Sequence, residues 1–387
     1  MNRIITLMIL LVLNTELLSQ IKLVEKQEIS NNREGVIITP ESIIYGEVQN
    51  GQKNVVYDGK RIGVLAKDEQ ISYFKGSNFY TVKNSVTCHC ETDKLTVAKY
   101  IIEDGKISQL QSIEYDSYET SVKFFKNGSY IVKDEGEAGG YEFKFYSSDM
   151  KLLASYSPYE GGFSASTMSF NGDKVLIGIT PNNKQMKPLV ALFDDAGKDI
   201  FKSAIESEGF VVKVLASEHH FSVYTFFVDK REHRLTTYDI NGNVLWTKII
   251  DSDIQTWHYH TGNSSTLVVA SFDRLLFYNA SDGRVQGEKI LAEVFSGAGG
   301  KHTRNDKYIV VHGVQTIPGK GIAVLISEPT GVETYATGFL TIYNESLGKS
   351  YLHYKVGDIK GRPILMVNDK QLSILIASEI LKYSINE

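Results

Sequence analysis

The chain has 387 residues, 42% of them hydrophobic and 22% charged, with 32 glycines and 7 prolines, a composition that excludes disordered and collagen-like classes. Its net charge of −5, with no Lys/Arg cluster, excludes the electrostatic footprint of a nucleic-acid binder, and two cysteines are too few for a disulfide-built scaffold. The 22 tyrosines and 18 phenylalanines, among many Ile, Val and Thr, favour pleated, half-buried surfaces.

The first element is a leader. Arg3 is followed by an apolar run from Ile4 to Leu13 and then by the polar Asn14-Thr15-Glu16, the order of a secretory signal peptide with cleavage near Ser19 or Gln20. The run is too short for a permanent membrane span, and no later segment is long and apolar enough for one. The competing reading is a buried first strand or helix. Residues 1–19 are thus expected to be a leader, 20–387 one domain, and the mature protein secreted or periplasmic.

Beyond it, Ile21 to Ser30 alternates loosely and reads as an isolated strand. A turn device then recurs. Asp58-Gly59, Asp104-Gly105, Asp149, Asp195 with Gly197, Asp239 with Gly242, Asp282-Gly283 and Leu347-Gly348 each separate two β-rich arms, with residue types that tolerate the backbone of a tight turn. The steps between the successive markers Asp58, Asp104, Asp149, Asp195, Asp239, Asp282 and Leu347 are 46, 45, 46, 44, 43 and 65 residues. A period in the forties with about four strands per unit predicts the blades of a β-propeller.

One unit, 161–207, shows the content: STMSF, the turn Asn171-Gly172-Asp173, KVLIGIT, LVALF, the Asp194 to Gly197 turn, and DIFKSAI. The long last step is read as an insertion around 316–338. At the C-terminus, PILMV, LSILIAS and EILKYSI leave one strand wanting, and the N-terminal strand is expected to supply it and close the ring. The count is eight blades, or seven if the compact first unit, about 32–70, belongs with its neighbour.

At the arms around DINGNVLW (Asp239 to Trp246) the chain resembles the blades of PQQ-type quinoprotein and related WD-repeat-like propellers. Trp246 reproduces the tryptophan that many such blades carry after the turn, and Phe201 stands at the equivalent place one unit earlier. Quinoprotein dehydrogenases of that group use adjacent cysteines, a tryptophan platform and acidic calcium ligands. No adjacent cysteine pair exists here, so the resemblance implies an architecture, no cofactor, and kinship with noncatalytic envelope members that act as docking platforms.

Residues able to carry chemistry are few. In Thr87-Cys88-His89-Cys90 a strand would turn His89 away from both sulfurs, which leaves packed thiols, a strained disulfide or weak metal binding as readings. Trp257-His258-Tyr259-His260 places His258 and His260 on one face, a weak metal candidate without a third ligand in sequence. No G-x-S-x-G elbow, H-E-x-x-H helix or phosphate-cradling loop occurs. The expected function is a noncatalytic platform for a protein or peptide partner; the alternative is an envelope hydrolase or lyase acting on glycans or small esters, its site assembled in the axial channel from several blades.

Overall fold

A computed structural model describes the chain except residues 1–20, 30–32, 40–41, 86–93, 117–120, 136–140, 160–162, 182–185, 206–208, 252, 261–264, 298–308, 320, 332–333, 344–349, 361–362, 368–370, 377–378 and 386–387. Cys88, His89, Cys90, Gly348 and the leader therefore lie outside the described residues.

The N-terminal strand β1 (Ile21–Glu28) is followed by blade one: β2 (Arg33–Ile38), β3 (Ile43–Gln49), β4 (Gln52–Tyr57) and β5 (Lys60–Leu65). Blade two is β6 (Glu69–Lys75), β7 (Asn78–Ser85), β8 (Lys94–Glu103) and β9 (Lys106–Asp116). Blade three is β10 (Ser121–Phe124), β11 (Tyr130–Glu135), β12 (Tyr141–Tyr146) and β13 (Leu152–Tyr156). Blade four is β14 (Phe163–Asn171), β15 (Lys174–Pro181), β16 (Leu189–Asp194) and β17 (Asp199–Ala204). Blade five is β18 (Phe210–Ala216), β19 (His220–Phe227), β20 (Glu232–Asp239) and β21 (Val244–Ile250). Blade six is β22 (Thr256–His260), β23 (Thr266–Ala270), β24 (Arg274–Asn279) and β25 (Val285–Ile290), and helix α1 (Leu291–Gly297) follows it. Blade seven is β26 (Val310–Ile317), β27 (Gly321–Ser327), the three-residue β28 (Pro329–Gly331), β29 (Thr334–Tyr343) and β30 (Ser350–Lys360). Blade eight is β31 (Ile364–Val367), β32 (Gln371–Ile376) and β33 (Glu379–Ile385), completed by β1.

These eight sheets have the strand topology of an eight-bladed β-propeller. The compact first unit is a full blade of its own, and β1 pairs antiparallel with β33 from Ile21↔Ile385 to Glu28↔Glu379, so the two ends of the chain build one sheet. Of the 316–338 stretch, β27 is the ordinary second strand; β28, paired to β29, is the extra element. The chain divides into two compact units, Met1–Asn31 with Leu245–Glu387, and Asn32–Val244.

Apolar clusters between neighbouring blades form the core, because a twisted sheet with two apolar faces can bury them only against other sheets. In the second unit, Phe143 and Phe145 of blade three meet Val175, Ile177 and Phe193 of blade four, and Leu176, Val190 and Leu192 of blade four meet Val211, Val214, Phe221 and Val223 of blade five. In the first, Phe277 and Leu275 of blade six meet Val311, Val324 and Phe339 of blade seven. Helix α1 adds Leu291, Val294 and Phe295 to that cluster at helical spacing, seven residues being too short for a periodic signal in the sequence.

Candidate functional site

The repeated turns fall into two kinds. Asp58 and Gly59, at φ 46° and 77°, and Asp104 and Gly105, at 52° and 71°, are two-residue hairpin loops with both residues left-handed. From blade three to blade six the turn is longer and its first residue organises it. Asp239 Oδ1 accepts from the N–H groups of Asn241 and Asn243, Asp194 Oδ1 from those of Ala196 and Lys198, Ser147 Oγ from those of Asp149 and Lys151, and Asn279 Oδ1 from those of Ser281 and Asp282. Asp149, Asp195 and Asp282 sit farther round the turn than that capping position; Asp282 instead accepts from the Arg284 N–H. At Asp239, the Asn243 side-chain amide, followed by the Asn243 N–H, holds the carboxyl below its ordinary pKa.

Each of three turn glycines lies over a fourth-strand side chain of the preceding blade. Gly197 covers Ala154 and Phe145, Gly242 covers Phe201, and Gly283 covers Trp246, whose Nε1–H donates to the Ala280 carbonyl at 2.7 Å. Phe201 and Trp246 are equivalent positions, as their place after the turn suggests. These residues bind blade to blade.

The sequence-predicted imidazoles converge on one hydroxyl. His258 Nε2 is 2.9 Å, and His260 Nδ1 3.3 Å, from Thr316 Oγ1 on β26. Burial first, and His260 second, holds His258 down to about 4, so it is neutral at physiological pH. Among the described residues no group of three or more His, Cys, Asp or Glu side chains is placed to hold a metal.

A third imidazole, His312, escaped the sequence reading. Its Nε2 lies 2.6 Å from Ser327 Oγ, the separation of a nucleophile and its base, and burial holds it too down to about 4. Ser327, however, is 0% exposed, so a substrate carbonyl has no approach to it. Thr316 and Ser327 satisfy imidazoles that would otherwise be buried polar groups in an apolar contact. Their chemistry is structural.

Blade five carries a different arrangement. Phe210 on β18 is opposite Phe226 on β19, and Phe226 is opposite His233 on β20, so the three side chains form one row across the sheet. Alternation puts Phe226, with Tyr224, on the face opposite the one packed against blade four. The Phe226 and His233 rings stack at 4.6 Å, and Tyr224 Oη fixes His233 Nδ1 at 2.5 Å. Phe210 is 46% exposed and Val212 40%, while the hairpin tip beside them presents Val228, Asp229, Lys230 and Arg231 to solvent. Around the strand edge, the Arg234 guanidinium lies 4.4 Å from the Phe227 ring centroid and also pairs with Glu232. The result is a pre-set aromatic row with one exposed end and flanking cations. Its sequence signal is slight: Phe226 and His233 stand at mirror positions about the 227–232 hairpin, which becomes visible only once that hairpin's register is known.

No protein-family model matches the sequence, and no curated protein does. Solved structures do. Saccharomyces cerevisiae Sqt1 superposes with a TM-score of 0.55 at 11% identity, over 95% of this chain and 99% of Sqt1. The likeness is one of fold alone. The C-terminal WD40 domain of Sif2 is also similar, with a TM-score of 0.38 at 11% identity over 80% of this chain and 93% of that one. In architecture the chain is an eight-bladed β-propeller.

Proposed function

We propose that this chain is a noncatalytic platform, secreted or periplasmic, that binds a protein or peptide partner at the Phe210 end of blade five. The observation that carries the reading is the Phe210–Phe226–His233 row, whose outer member stays 46% exposed while its inner members are locked by stacking and by Tyr224. A rigid aromatic presented on a scaffold loses little entropy on binding, which is what a recognition hot spot requires. The buried Ser327 hydroxyl and the neutral imidazoles around it support a structural reading of the polar groups over a hydrolytic one.

The leader order of residues 1–19 supports export, and the net charge of −5 supports a partner other than nucleic acid. Trp246 beneath Gly283 supports kinship with the noncatalytic PQQ-type propellers.

The test is affinity capture from extracts of the native source, using the chain from Ile21 as bait beside a Phe210→Asp bait. Recovery of one stoichiometric partner by the first and its loss from the second, with equal β-sheet circular dichroism, is the expected result. Equal recovery by both baits, or no partner at all, would discard the reading.

A further inference from the structure

We propose that Asn50-Gly51 is a self-modifying site, at which the folded chain converts Asn50 to aspartyl and isoaspartyl residues by reaction with water. The chemistry needs no residue beyond these two. The Gly51 nitrogen, once deprotonated, attacks Asn50 Cγ; a C–N bond forms, the bond from Cγ to the amide nitrogen breaks, and ammonia leaves with the proton. Water then adds to one carbonyl of the cyclic imide and breaks the C–N bond there, giving the aspartyl or the isoaspartyl linkage.

The sequence holds four Asn-Gly steps, beginning at Asn50, Asn127, Asn171 and Asn241. A glycine after the asparagine leaves the attacking nitrogen unshielded, and the fold then separates the four. At Asn127 the side chain is occupied: Oδ1 accepts from the Ser129 N–H and Oγ–H, and Nδ2 donates to Asp195. The Gly128 N–H donates to the Phe125 carbonyl at 3.0 Å. The Gly242 N–H donates to the Asp239 carbonyl at 3.1 Å, and Gly242 lies over Phe201. Asn171 is a strand residue, half-buried and opposite Lys174, and the Gly172 carbonyl accepts from the Lys126 N–H at 3.3 Å.

Asn50-Gly51 has none of these restraints. The two residues are the loop of the β3–β4 hairpin, closed by the Gln49↔Gln52 pair, with φ of 52° and 79°. Both are exposed, and among the described residues neither the Asn50 side chain nor the Gly51 N–H has a hydrogen-bond partner. A Cβ built on Gly51 would meet nothing within 4 Å, so the loop can swing the nitrogen toward Cγ without displacing a side chain. Conversion adds a negative charge to a chain already at −5, and the isoaspartyl product lengthens the backbone of a turn that sets the β3–β4 register.

Incubation of the intact folded chain in warm, mildly alkaline buffer, followed by tryptic peptide mass spectrometry, tests the site. The tryptic peptide 34–53 holds no asparagine except Asn50. It should acquire the mass gain of amide-to-acid conversion and split into two chromatographic products. Asn50 should convert on the order of tenfold faster than Asn127, Asn171 or Asn241, since breaking even one hydrogen bond before attack slows the step by about that factor. In guanidinium chloride the four rates should converge. The acidic band that the parent acquires on isoelectric focusing should not appear in Asn50→Gly, whose Gly-Gly loop suits the same turn and should keep the parent's circular dichroism. Asn50 intact in the folded chain while the unfolded chain converts, four equal rates in the folded chain, the same spread of rates in denaturant, or an acidic band that grows equally in Asn50→Gly would each overturn the proposal.

Discussion

The Trp246 indole lies beneath Gly283 and donates its Nε1–H to Ala280, so one side chain fills the space left by a missing Cβ and satisfies a buried carbonyl in the next blade. An ideal Cβ on Gly283 would lie 2.7 Å from Trp246 Cδ2, which means the glycine is required by the tryptophan as well as by its own φ of 71°.

That pairing separates glycines that look alike in sequence. Gly59 and Gly242 are both left-handed, at 77° and 87°, but a Cβ on Gly59 meets open space while one on Gly242 would overlap the Phe201 ring. Gly59→Ala should cost about 1 kcal/mol for backbone strain alone. Gly242→Ala should cost roughly 2–4 kcal/mol, strain plus displacement of a packed ring. Urea denaturation of the two variants measures the difference, and equal midpoints would remove the glycine-over-aromatic contact from the account of stability.

Two buried tyrosines should respond oppositely to loss of the hydroxyl. Tyr343 is packed in the contact of blades six and seven, with Phe277 edge-on at 5.8 Å, and its hydroxyl has no hydrogen-bond partner among the described residues. Tyr100 donates to Glu69 Oε1 at 2.9 Å. Tyr343→Phe should leave stability unchanged or raise it by up to ~1 kcal/mol, whereas Tyr100→Phe should lower it by about 1–3 kcal/mol by withdrawing a donor from a buried carboxylate. Thermal unfolding decides between them: a large loss in Tyr343→Phe would show that the hydroxyl is satisfied after all.

Acid should weaken the protein through two buried imidazoles. His258 and His312 are held to about 4 by burial, against about 6.5 in an unfolded chain. Between those values the unfolded state binds more protons than the folded one, so stability falls as pH falls. This contribution is whole above about pH 6.5, declines toward about pH 4, and amounts to about 3 kcal/mol for each imidazole. Asp68, Asp239, Asp273 and Asp282 all have pKa values lowered from 3.8, so their losses come at lower pH. Denaturation midpoints measured from about pH 7.5 to about pH 4.5, a window above the carboxylate range, should therefore slope downward, and less steeply in His312→Asn. A flat profile in the parent would contradict the burial of these imidazoles in neutral form.

The sequence by itself determined the β class and the repeat, because residue types suited to tight turns recur from Asp58 to Asp282 at near-constant steps; it left the count at eight or seven blades, and the separate sheet of β2 to β5 decides for eight. It also determined that the N-terminal strand completes the last blade, since β31 to β33 leave one strand wanting and Ile21–Glu28 is available to pair. Trp246 and His258 with His260 were legible as residues of interest, the first from its place after a turn and the others from strand alternation. What each touches was not. Thr316 lies 58 residues beyond His258, Ala280 lies 34 beyond Trp246, and the Phe210–Phe226–His233 row exists only through the register of two strand pairs. Local sequence fixes which residues can turn or alternate, because those preferences act within a few residues. Contacts between blades depend on register and sheet twist summed over dozens of residues, and only the tertiary structure decides which imidazole is buried against a hydroxyl and which aromatic is left facing solvent.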